Sequence, residues 1–113
     1  MNTATTTAQL TTIETATPKP ALDTDYLLRT ALTGIRRVEC FTTLFSSYQL
    51  TNFAQELSTN FKAIAEVTTD ERTLLALSDI QDELIEILPP NRPDPDKMIL
   101  SLSIIRSMIA EVI

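Results

Sequence analysis

The chain has no histidine and no tryptophan, and only one glycine (Gly34) and one cysteine (Cys40) in 113 residues. Each shortage excludes a chemistry. Without histidine there is no side chain that ordinarily titrates near neutral pH, and the commonest metal ligand is missing. A single glycine excludes the glycine-rich loops that bring backbone close to a phosphate. A single cysteine excludes an internal disulfide and any Cys-x-x-Cys zinc or redox site. No nucleophile–base pair, metal set or phosphate cradle can be assembled from the remainder, so a non-enzymatic protein with no cofactor and no metal is expected.

Other absences set the class. No run of about 18 apolar residues occurs, so no membrane span is expected. The N-terminus lacks a basic region followed by an apolar stretch, which argues against a secretory signal. With one thiol and neither feature, a soluble cytoplasmic protein is the expectation. Aromatic residues are only 5% of the chain, so the core must come from Leu, Ile, Val and Ala.

What is present fits one globular domain: 43% hydrophobic and 21% charged residues, with a net charge of −6. That charge is concentrated. Residues 68–88 carry six acids against Arg72 alone, whereas segments 1–22, 23–48 and 89–113 are each neutral. An acidic domain repels phosphate backbones, so direct nucleic-acid binding is disfavoured.

Residues 1–22 hold eight threonines, Pro18 and Pro20, with no sustained helical or strand period; they read as a flexible Thr/Ala/Pro-rich tail. Residues 23–113 read as the folded domain. A first helix is predicted over Asp25–Ser46, capped by Asp23 or Thr24, with Leu27, Leu28, Ala31, Gly34, Ile35, Val38, Phe41 and Phe45 on its core face. Gly34 lies within that face, where close approach of another helix would justify its propensity cost of about 1 kcal/mol. A second helix is predicted over Gln49–Val67, with Leu50, Phe53, Ala54, Leu57, Phe61 and Ile64 as its stripe. Thr68 and Glu71 have capping-box spacing for a third helix, whose core face is Leu74, Leu77, Ile80, Leu84, Ile87 and Leu88 before Pro89-Pro90 stops it. A fourth starts at Asp94 as N-cap with Pro95 at its first position, and continues almost to Ile113. Four helices with short connections predict an all-α, up-down-up-down antiparallel four-helix bundle.

Three faces are candidates for contact. The fourth helix is apolar over more than half its circumference, which marks it either as the bundle's central helix or as a self-association surface on Leu102, Ile105, Met108, Ile109 and Val112. On the third helix Glu71, Asp79, Asp82, Glu83 and Glu86 share a face. That face lacks the Glu-x-x-His pairs of di-metal bundles, so it is a solvated surface or a dock for a basic partner. On the first helix and the start of the second, Tyr26, Arg29, Arg36, Arg37, Leu44 and Tyr48 combine the residue types enriched at binding hot spots. Arg29 is also spaced to pair with Asp25, and Arg36 with Glu39. Cys40 shares this outer face and has no base to activate it, which makes it an ordinary surface thiol. The proline-dense stretch 89–95 reads as a rigid connector.

The function expected from these patterns is a protein-binding or regulatory bundle, with a protein partner and homo-oligomerisation through the C-terminal helix. The alternative is a bundle holding a small apolar ligand among Met98, Met108, Phe41, Phe45, Phe53 and Phe61. A third reading is an acidic regulator that docks a basic protein.

Overall fold

Asp23 begins the ordered helices by accepting a hydrogen bond from the Tyr26 N–H at 3.0 Å, which satisfies one of the orphan donors of the first turn. The computed structural model describes residues 23–113; the tail expected over 1–22 lies outside them. Helix α1 spans Thr24–Cys40 and is followed by a single 3-10 turn, Thr42–Leu44. Helix α2 spans Ser47–Val67, α3 spans Glu71–Ile85 and α4 spans Pro95–Ala110. No strand occurs among the described residues.

These boundaries correct four expectations. Helix α2 begins at Ser47 rather than Gln49, and α3 ends at Ile85 rather than Leu88, because the N–H groups of Glu86, Ile87 and Leu88 bond three residues back instead of four. The first helix stops at Cys40 instead of Ser46, because Phe41 leaves helical geometry (φ −128°, ψ 50°) and Ser46 begins the next helix. Ser46 and Gln49 form a reciprocal capping box, with Gln49 N–H donating to Ser46 Oγ at 3.2 Å and Ser46 N–H to Gln49 Oε1 at 2.9 Å. The cap of α3 is Asp70, not Thr68. Asp70 Oδ2 accepts from both the N–H and the hydroxyl of Thr73, at 2.9 and 2.6 Å, while Thr68 Oγ1 accepts from the Asp70 N–H. The start of α4 is as the sequence predicts: Asp94 caps, Pro95 follows, and Lys97 N–H donates to Asp94 Oδ1 at 2.9 Å.

The helices form a compact bundle in which α1 packs mainly on α4, α4 on α3, and α3 on α2. The ring closes least tightly between α1 and α2. The core is aliphatic, as the composition requires: Ile35, Leu50, Ile64, Ile80, Leu84, Leu102, Ile105 and Ile109 have no exposed surface, and Phe61 is the only buried aromatic among the described residues. Burying such a side chain is worth about 1.5–3 kcal/mol, so this set dominates the stability. Leu74 and Phe41, both expected on core faces, are instead exposed by 38% and 53%.

Polar side chains tie the helices where their edges meet. Ser58 Oγ donates to Gln81 Oε1, and Gln81 Nε2 donates back to the Ser58 carbonyl, each at 3.1 Å, across α2–α3. Ser101, fully buried on α4, donates to Glu83 Oε2 of α3 at 2.9 Å. Arg72 at the start of α3 donates to the Glu111 carbonyl at 2.6 Å. Across α1–α4, Glu39 accepts from Ser103 Oγ at 2.6 Å and from Arg106 Nε at 2.7 Å.

Candidate functional site

The three candidate faces fare differently. On α4, Leu102, Ile105 and Ile109 are fully enclosed by the bundle, and Met108 and Val112 are half-buried against the same core. The self-association set therefore coincides with the bundle's own core face, and a partner could reach most of it only by opening the fold. The reason lies in the helical angle: these positions share the stripe that also carries Met98 and Ser101, both buried. What α4 leaves outside is a narrow strip at Leu100 and Ile104, exposed by 57% and 39%.

The acidic face of α3 is smaller than its sequence suggests. Glu83, expected to point away from the core, is half-buried and accepts from Ser101. Glu86 pairs with Lys97 of α4 at 3.4 Å. Glu71, Asp79 and Asp82 remain exposed and make no ion pair among the described residues. Among those residues no group of three or more His, Cys, Asp or Glu side chains is placed to hold a metal ion.

The face on α1 is where exposed apolar and basic groups coincide. Tyr26, Phe41, Leu44 and Tyr48 are each more than half exposed, and Arg29, Arg36 and Arg37 are exposed beside them. Helix α1 sets the spacing of Tyr26 and the arginines, and the 3-10 turn carries Leu44 outward between the two helices. Arg29 forms the expected pair with Asp25 at 2.9 Å. Arg36 does not form its expected pair, because Glu39 turns to Arg106 and Ser103 of α4. Burial pushes the Glu39 carboxyl upward. The hydrogen bonds from Ser103 and Arg106, with the positive charges of Arg106 and Arg36, outweigh that and hold it below the ordinary glutamate range. Cys40 is free and exposed.

At the seam where α1 meets α2, two hollows share Gly34, Arg37 and Phe53 in their walls. The larger, about 540 Å³, is bordered by Asp23, Tyr26, Arg29, Thr33 and Arg37. The smaller, about 170 Å³, lies between Val38, Phe45, Phe53, Arg37 and Gln49. Gly34 lies in the floor of both. It accommodates the Phe53 ring: a Cβ on Gly34 would lie 2.9 Å from Phe53 Cζ. The close approach expected at Gly34 is thus made by an aromatic ring, not by a helix backbone. A third hollow, about 650 Å³, lies at one end of the bundle between Tyr48, Thr51, the Pro89–Pro93 connector and Met98.

The apolar residues proposed from sequence to share a ligand cavity are dispersed. Phe45 and Phe53 line the small seam hollow, Met98 floors the hollow under the proline connector, and Phe61 is packed in the core. Sequence reasoning missed the seam itself. A capping-box spacing at Ser46 and Gln49 was the available signal that the chain turns there and sets α2 against α1. No protein family, curated protein or solved structure matches this chain. No helix among the described residues is long and apolar enough to cross a membrane.

Proposed function

We propose that this chain is a non-enzymatic protein-binding bundle whose contact surface is the edge formed by α1, the 3-10 turn and the start of α2. The observation that carries this reading is the exposure of Phe41, Leu44 and Tyr48, at 53%, 69% and 74%, within the short stretch that joins α1 to α2, directly after the exposed Arg36 and Arg37 in the chain. Aromatic and arginine side chains bring large contact area with a polar handle, which is why they dominate interface energetics. The composition supports the non-enzymatic part, since catalysis near neutral pH usually recruits histidine or an activated nucleophile.

The partner in this reading is a second copy of the chain: the self-association expected of α4 is transferred to this edge, because the α4 set is taken up by the bundle's own core. In a dilution series followed by amide NMR, the reading expects concentration-dependent shifts at Phe41, Leu44, Tyr48 and their neighbours, with the α4 core positions unmoved. Shifts centred on Leu100 and Ile104 would transfer the contact to the outer strip of α4 and overturn the assignment. Docking of a basic protein ranks lower, because Glu83 and Glu86 already serve Ser101 and Lys97 within the bundle.

A further inference from the structure

The smaller seam hollow has an unusual combination of walls. Val38, Phe45, Phe53 and the Cα of Gly34 supply apolar surface, and Val38 is only 2% exposed. The two polar side chains in its lining, Arg37 and Gln49, can both act as donors. Gln49 Oε1 is occupied by the Ser46 N–H, which leaves its Nε2 amide directed elsewhere. Arg37 forms no ion pair among the described residues. No carboxylate lines this hollow, in a chain whose net charge is −6. The hollow is a half-open groove of about 170 Å³, room for a group no larger than a single aromatic ring.

We propose that this hollow binds a small monocarboxylate with a short aliphatic or aromatic tail. The tail lies against Val38, Phe45 and Phe53, and the carboxylate accepts from the Arg37 guanidinium and Gln49 Nε2. Apolar walls with a few convergent donors are the usual make-up of a small-ligand site, and an arginine fork matches the two oxygens of a carboxylate. Gly34 is integral to the site because a Cβ there would lie 2.9 Å from Phe53 Cζ, so any side chain would displace a ring that walls the hollow. This inference goes beyond the protein-binding reading and does not rest on it.

The test uses the full chain with butyrate and benzoate as probes, and butyramide and benzamide as their neutral counterparts, followed by amide NMR. Saturable shifts at Gly34, Arg37, Val38 and Gln49 are expected for the acids. The amides and an Arg37→Gln variant should bind about tenfold or more weakly, the loss typical of a charge-assisted hydrogen bond. Gln49→Glu is the sharper variant. Glutamate keeps the capping box and therefore the fold, but it sets a negative charge where the donor stood, so binding of the acids should be lost. The proposal is overturned by equal binding of acid and amide, by affinity indifferent to both variants, by shifts that map elsewhere, or by no saturation in the millimolar range.

Discussion

Ile104 and Ile105 are chemically identical neighbours that the turn of α4 sends to opposite environments, and that contrast can be made quantitative. Ile105 has no exposed surface, whereas Ile104 is 39% exposed. Ile105→Ala removes three carbons from a closed site. At about 0.8 kcal/mol per carbon the transfer loss is roughly 2.4 kcal/mol. The unfilled cavity brings the expected cost to about 3–4 kcal/mol. For a domain of this size each kcal/mol lowers Tm by about 4–8 °C, so a fall of roughly 12–32 °C is expected. Ile104→Ala loses less area and leaves no cavity, since water fills the space. Alanine also gains a few tenths of a kcal/mol in helix propensity, which leaves a net change of about 1 kcal/mol or less. Urea denaturation of both variants, followed by circular dichroism at two protein concentrations, reads the difference directly. Equal losses at the two positions, or an Ile105→Ala variant that keeps its stability but changes its solution mass, would refute the placement of α4 in the core.

Two further outcomes follow from the polar contacts. Glu39 is held below the ordinary glutamate range in the fold, so its contribution to stability is complete above that range and is lost as pH falls through its lowered folded value. Urea midpoints measured down the acid limb should therefore decline less steeply in Glu39→Gln than in the parent chain. Ser46→Ala removes one half of the capping box at the start of α2 and should cost about 1 kcal/mol in urea titration, with Ser46→Asp restoring most of it.

The architecture was largely legible in the sequence because three of the helices carry a 3.6-residue apolar stripe and Asp94-Pro95 marks a start without ambiguity, whereas the stop expected at Pro89-Pro90 comes earlier, with α3 ending at Ile85. The errors came where two local signals competed. Phe41 and Phe45 continue the apolar period of α1, and that period hid the capping box at Ser46, whose hydrogen bonds end one helix and begin another. At the start of α3, Thr68 and Asp70 both have side chains able to cap; the carboxylate prevails because it engages the N–H and the hydroxyl of Thr73 together. Within the site, the Tyr and Arg content of α1 was readable from its outer face. The bond from Glu39 to Arg106, 67 residues away, was not, because spacing along one helix cannot show which neighbouring helix a side chain meets. The same limit applies to α4. Periodicity shows a helix apolar on most sides, and only the packing shows that Leu102, Ile105 and Ile109 face inward while Leu100 and Ile104 do not.

The contact surface is tested most directly by the solution mass of the intact chain. It is set beside a Leu44→Glu/Tyr48→Glu variant on the α1–α2 edge and a Leu100→Glu/Ile104→Glu variant on the outer strip of α4. All four positions are exposed, so both variants should fold with the helical content of the parent. The account predicts a self-associated parent that the edge variant converts to a folded monomer and the α4 variant leaves associated. A monomeric parent at every concentration, or dissociation by the α4 variant alone, would contradict it.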